Sequence, residues 1–253
     1  MSYNVFARYY DALTANVNYE TMADYLCALL EREGHKAGLT LDLACGTGSL
    51  TLQLAKRGID IYGIDASMDM LSVAQEKAAE AGCSILFLCQ KMQSLDLYGT
   101  VNTVFCSLDS INHLVTEQDV KRAFQRVSLF LEPNGYFVFD LNTLYKHQYV
   151  LGENAYVYDL TDVFCAWQNH FEEATGRVLV SLDFFEKKGK LYERSSEEFF
   201  ERAYPLEQVI DWLREAGLEL SAIYHSGSFD PPASDTERVT VVAKKKNEET
   251  LKT

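Results

Sequence analysis

The stretch Leu39-Thr40-Leu41-Asp42-Leu43-Ala44-Cys45-Gly46-Thr47-Gly48-Ser49-Leu50 decides the fold. Leu39 to Ala44 is a short apolar run, and the glycines end it. Leu50, Leu54 and Ala55 then resume at helical spacing, so the segment reads as strand, tight glycine turn, helix. Two glycines at a strand's carboxyl end, just before a helix N-terminus, let backbone approach a nucleotide-like ligand closely, although such turns also serve as structural punctuation. The dinucleotide fingerprint needs a third glycine where Thr51 stands. Asp42, ahead of the glycines, would repel a pyrophosphate but suits a ligand carrying an ammonium or sulfonium group.

The pattern repeats downstream. A strand from Ile59 to Ile64 ends at Asp65, and Ser67 can cap a helix that turns Leu71, Ala74 and Ala78 inward before Gly82. Further strands are expected at Ile85 to Cys89, Val101 to Cys106 and Tyr136 to Leu141. A helix capped by Thr116 carries Val120, Ala123, Phe124 and Val127, and Pro133-Asn134-Gly135 turns the chain into the last of these strands. Upstream, Met22, Leu26, Leu29 and Leu30 fall on one face of a helix from Tyr19 to Glu33. Nearly continuous apolar strands alternating with helices indicate an α/β, doubly wound parallel sheet whose ligand crevice lies outside the strands' carboxyl ends.

Helical period is lost from residue 143 to 204, where Phe164 to Phe171, Val178 to Phe185 and Leu191 to Phe200 read as an antiparallel meander. The core resumes with a helix opened by Pro205 and strands at Leu218 to Tyr224 and Val239 to Lys244. Their connection, Ser226 to Glu237, is too short for a crossover helix and contains Pro231-Pro232, so these strands should pair antiparallel. The expected organisation is a cofactor-binding core of residues 1–142 and 205–246, a β insert at 143–204 and a frayed polar tail at 247–253.

The 253 residues carry 23 basic and 37 acidic side chains, a net charge of −14, which argues against nucleic acid as partner. With 47% hydrophobic residues the chain can bury a sizeable core. No apolar run approaches the ~20 residues of a membrane span, and Met1-Ser2-Tyr3-Asn4 has no secretory signal character, so a cytoplasmic location is expected. Six cysteines without a C-x-x-C pair suggest reduced thiols, with neither a disulfide framework nor a metal site.

The segment from Leu39 to Leu50, together with Gly63-Ile64-Asp65-Ala66-Ser67, resembles the class I S-adenosylmethionine-dependent methyltransferases. Phe6-Ala7-Arg8-Tyr9-Tyr10-Asp11-Ala12-Leu13, Asn18-Tyr19-Glu20, Cys106 to His113, Asn134 to Asp140 and the insert are similar to a bacterial small-molecule subgroup of that family. The resemblance implies a Rossmann-like, seven-stranded, mostly parallel sheet with a reversed final strand, and S-adenosylmethionine as cofactor. It implies that Ala44, Cys45, Gly46 and Gly48 hold the methionine portion while Asp42 supports its ammonium. Asp65 would take the ribose, Ala66 and Met70 would lie near adenine, Leu108 would add a backbone contact, and Tyr10 and Tyr19 would cover the cofactor. Capping the helix after Ser67 is the other reading of Asp65. Lys91 stands where the family often has an acidic adenine partner, which leaves backbone atoms, Gln90 or Met92 for that task. Ala44 replaces the first motif glycine, which the turn tolerates if its dihedrals are negative.

The implied reaction is methyl transfer by in-line displacement, for which alignment and exclusion of water matter most. His113 is the candidate general base and Tyr10 a candidate for orienting the acceptor; a satisfied structural histidine is the alternative for His113. Asp140 and Asn142 either line the crevice or serve as turn and cap residues. The meander's aromatic residues could roof a small-molecule acceptor, join a homodimer or pack on the core. An NAD(P)-dependent oxidoreductase and a non-catalytic cofactor-binding module are the competing functions.

Overall fold

The computed structural model describes residues 4–247. The expectations for the start at Met1 to Tyr3, and for the tail over residues 248–253, lie outside the described residues.

Helix α1 (Asn4–Leu13) and helix α2 (Tyr19–Arg32) precede β1 (Thr40–Leu43), all four of whose residues are buried. Then follow α3 (Ser49–Lys56), β2 (Ile61–Asp65), α4 (Met68–Glu80), β3 (Phe87–Cys89), β4 (Val101–Cys106), α5 (Glu117–Phe130) and β5 (Leu131–Asn142). A π-helical turn at Lys146–Leu151 leads into β6 (Ala155–Asp159), β7 (Val163–Glu172), β8 (Arg177–Lys188) and β9 (Leu191–Arg202). The chain ends with α6 (Leu206–Glu215), β10 (Leu218–His225) and β11 (Arg238–Lys245).

The main sheet has seven strands in the order β3-β2-β1-β4-β5-β11-β10, and β11 runs antiparallel to both its neighbours. The remaining pairs are parallel. The expected doubly wound α/β sheet, with its reversed strand, is therefore present. Strand order reverses between β1 and β4, so the carboxyl ends of those two strands flank the crevice. Local chemistry explains the helix starts: Asn18, Ser67 and Thr116 each accept a hydrogen bond from a first-turn amide, as N-cap residues do.

The insert forms a separate antiparallel sheet in the order β6-β7-β8-β9. Three of its strands match the expected meander; β6 is an additional edge strand. The insert packs on α1: Phe6, Ala7 and Leu13 share a cluster with Val163, Val178, Leu182, Phe184 and Phe199. Glu197 Oε1 accepts from the amides of Val5 and Phe6 at 3.2 and 3.0 Å, supplying the carboxylate that a helix N-terminus favours. Arg8 and Tyr9 both reach Glu186, at 2.5 and 3.1 Å. Among the described residues no helix is long and apolar enough to cross a membrane.

Candidate cofactor site

The glycine turn leaves β1 through three left-handed residues, Ala44 (φ 61°), Gly46 (φ 54°) and Gly48 (φ 70°). The negative dihedrals expected at Ala44 are not found. The Cys45 amide reaches across to Ile64 O at 2.9 Å, which pins the chain to β2 and forces the reversal at Ala44. An L-residue in that region costs roughly 1–2 kcal/mol.

The two glycines do different things. A Cβ on Gly48 would lie 2.9 Å from the Ala74 Cβ, so this glycine lets α3 approach α4. A Cβ on Gly46 would meet nothing within 4 Å, so this stretch of backbone faces open space. Cys45 points the other way, toward Gly63, where a Cβ would stand 2.7 Å from its Sγ, and burial pushes its thiol well up.

Two carboxylates flank the turn. Asp65, at the end of β2, accepts from the Gly46 amide at 2.9 Å through Oδ2 and from the Ser67 amide at 2.8 Å through Oδ1. It thus ties the turn to the start of α4 and also makes the capping-type contact. Each oxygen keeps a lone pair for a further donor. Burial raises its pKa, and the amides of Ser67 and Gly46 oppose that rise. Asp42 is 2% exposed and pushed up to about 6, chiefly by burial. Thr51 Oγ1 donates to its Oδ2 at 2.5 Å.

Helix α1 is latched onto this turn. Asp11 Oδ1 accepts from Thr47 Oγ1 at 2.7 Å and Ser49 Oγ at 3.1 Å, while Lys77 Nζ of α4 donates to Oδ2 at 2.6 Å. The residue before Asp11, Tyr10, is desolvated, and burial followed by the nearby Tyr19 and Asp109 drives its phenol well above the ordinary range. Tyr19 is also raised, by burial first and by Asp11 and Asp42 among its neighbours, and it lies 3.5 Å from Thr14 Oγ1. Tyr10, Tyr19, Asp42, Asp65 and the turn are thereby gathered in one place.

At the end of β4, Leu108 (φ 57°) and Asp109 (φ 52°) are both left-handed. Their amides donate to the buried Asp140 at 2.9 and 2.5 Å. Arg238, at the start of β11, pairs with Asp109. Burial works against the Asp109 charge, yet that guanidinium holds its carboxyl below the usual range. A cavity of about 970 Å³ opens here, lined by Ser107, Leu108, Asp140, Lys146 and Arg238 and by residues of α2 and the β10–β11 connection.

The remaining expected residues are more scattered. Met70 is buried in the cluster formed by α1 and the insert, and Ala66 is exposed. Lys91 is exposed, and Met92 is half-buried against the main core. Gln90 has its amide engaged by the backbone of Asp96, at 2.9 and 2.8 Å, so it does not face the crevice as a free partner for adenine. His113 is 39% exposed, 3.8 Å from Glu201 Oε1 and against the ring of Phe199. Asp11, Thr51, Asp109 and Arg238 were missed. Asp11 and Asp109 fall in the stretches that carry the family resemblance, without a role there, and the contacts of Thr51 and Arg238 span separations that no local pattern reports.

A family model described as a methyltransferase domain matches residues 40–135, the span from β1 to the start of β5. The Bacillus subtilis (strain 168) protein named "Putative methyltransferase YqeM" is 31% identical over 246 residues, covering 97% of this chain and 98% of that one. A crystal structure of an S-adenosylmethionine-dependent methyltransferase from Clostridium acetobutylicum ATCC 824 superposes with TM-score 0.87 at 34% identity, covering 97% of this chain and 99% of the other. The chain belongs to the class I S-adenosylmethionine-dependent methyltransferases. A Streptomyces fradiae dTDP-3-amino-3,6-dideoxy-alpha-D-glucopyranose N,N-dimethyltransferase is also similar, at 31% over 121 residues, 48% of this chain and 46% of its own length.

The cofactor of this methyltransferase is S-adenosylmethionine, and the residues present fit it. Gly46 offers unobstructed backbone. Asp42 and Asp65 supply negative charge beside it, where a dinucleotide's phosphates would be repelled. The oxidoreductase and the non-catalytic module are set aside with the family assignment.

Proposed function

We propose that this methyltransferase acts on a small polar acceptor carrying an amino group, bound in the cavity between Leu108, α2 and the β10–β11 connection. One observation carries the reading. The cavity begins at Leu108, beside the crevice, and its lining includes Asp140, Asp230, Asp235 and Glu237 against Lys146 and Arg238. An excess of carboxylates favours a cationic or amine-bearing guest. The amino-sugar acceptor in the name of the Streptomyces fradiae relative is consistent with that chemistry.

The site roles proposed here follow from position. Gly46 and Asp65 hold the cofactor's polar ends, Asp42 faces its ammonium, and Tyr10 and Tyr19 close over it from α1 and α2. Bound S-adenosylmethionine supplies an electrophilic methyl group. The protein's task is to hold the acceptor nitrogen about 3–3.5 Å from that carbon and keep water out. Tyr10, with its phenol pushed well up, stays protonated and orients the acceptor by hydrogen bonding instead of taking its proton. In this reading His113, with its Nε2 3.8 Å from Glu201 Oε1, is assigned no proton-transfer role.

The test is a panel of small amines, amino sugars, hydroxy compounds and carboxylic acids incubated with protein and S-adenosylmethionine, reading S-adenosylhomocysteine release. Turnover confined to amine-bearing members is expected. Turnover only with hydroxyl or carbon acceptors would overturn the amine assignment.

A further inference from the structure

At the seam between insert and core, four side chains from distant parts of the chain converge without satisfying one another. Asp109 and His113 follow β4, His147 sits in the π-helical turn after β5, and Glu201 lies near the end of β9. His147 is fully buried, and both its ring nitrogens lack a hydrogen-bond partner. The Glu201 side chain is 7% exposed; two imidazoles stand beside it, and the charges of Lys146 and Arg238 act on it as well. His147 Nε2 stands 3.5 Å from Glu201 Oε2 and His113 Nε2 stands 3.8 Å from Oε1.

Those separations exceed the 2.7–3.2 Å of N–H···O hydrogen bonds. They approach the ~3.4 Å between two donors bound about 2.1 Å from a tetrahedral ion. One ligand atom each from Asp109, His113 and Glu201 lie mutually within 4.8 Å. Leaving both nitrogens of the buried His147 without a partner is costly unless the seam holds a further group.

We propose that Asp109, His113 and Glu201, with His147 beside Glu201 as their buried outer partner, form a binding site for a divalent first-row transition ion, of the zinc, cobalt or manganese class. Imidazole nitrogens mixed with carboxylate oxygens select such ions over calcium or magnesium, which prefer all-oxygen sites. Arg238 pairs with Asp109, as the outer partner of a ligating carboxylate does. The ligands come from the segment after the core strand and from the insert, so the ion joins the insert to the core beside Leu108. A ligated His113 is not free to act as a base. This site stands independently of the acceptor assignment, since its test needs no turnover.

The experiment strips the full-length protein with a chelator and titrates it with Co2+, following visible d–d absorption and bound metal per chain. One Co2+ per chain is expected, displaced by Zn2+. Glu201→Gln and His147→Asn should each weaken Co2+ binding at least 10-fold while S-adenosylhomocysteine still binds, which certifies the fold. Should either buried variant fail to fold, His113→Asn at the exposed ligand must show the same loss. No stoichiometric Co2+ uptake, or uptake equally tight in every folded variant, would overturn the proposal.

Discussion

Thr51 Oγ1 donates a 2.5 Å hydrogen bond to Asp42 Oδ2, joining the first turn of α3 to the end of β1 beneath the glycine turn. Both residues are buried. Where a dinucleotide fold places a third glycine, this chain places the partner of its own buried acid. The bond opposes only part of the burial effect, and Asp42 stays raised from 3.8 to about 6.

That raised value fixes a sign. The folded chain holds the Asp42 proton more tightly than the unfolded one, so its contribution to stability is fully present below about pH 4 and is lost as pH rises through about 6. The gap corresponds to on the order of 3 kcal/mol. Urea unfolding of wild type and Asp42→Asn between pH 4 and 7 should show this loss in wild type only.

Cofactor binding should run the opposite way. An ammonium group near Asp42 favours the ionised carboxylate, so S-adenosylhomocysteine affinity should rise between pH 5 and 7 in wild type and stay flat in Asp42→Asn. Titration calorimetry at four pH values measures it.

Ala44 and Gly46 separate strain from contact. Ala44→Gly removes a left-handed alanine and should stabilise the fold by about 0.5–1 kcal/mol with unchanged ligand affinity. Gly46→Ala adds both strain and a methyl group in the open space of the crevice, so its affinity loss should exceed its stability loss. Denaturant midpoints and calorimetry on the two variants distinguish these outcomes.

The Asp11 latch is half-exposed, with Asp11 and Lys77 side chains 41% and 24% accessible, so solvent screening keeps its stability contribution small. Asp11→Ala should cost less than about 1 kcal/mol of global stability. It should nonetheless speed S-adenosylhomocysteine dissociation, because α1 carries Tyr10 over the turn. Stopped-flow release measures this directly.

The legible parts of the molecule were those written in adjacent residues. The turn from Asp42 to Gly48, the caps Ser67 and Thr116, and the antiparallel return forced by Ser226 to Glu237 all rest on local chemistry. Less legible was β6, an edge strand of mostly exposed residues with no apolar alternation. Strand β5 starts at Leu131, ahead of the turn at Pro133-Asn134-Gly135, because Leu131 pairs with Val101, a contact without local signature. The sign of φ at Ala44 depends on Ile64 in the neighbouring strand. Arg238 meets Asp109 across 129 positions, and the seam of His147 and Glu201 exists only once the insert is folded. Site chemistry at the crevice floor was therefore readable, and its walls were not.

The most direct measurement is calorimetric titration of wild type and Asp65→Ala with S-adenosylhomocysteine, with NADH as control. We expect one site per wild-type chain, no NADH binding, and at least 10-fold weaker binding in Asp65→Ala, the loss of charge-assisted hydrogen bonds worth ~1.5–3 kcal/mol each. Equal affinity in the two proteins would contradict the account of how this turn and its carboxylate hold the cofactor.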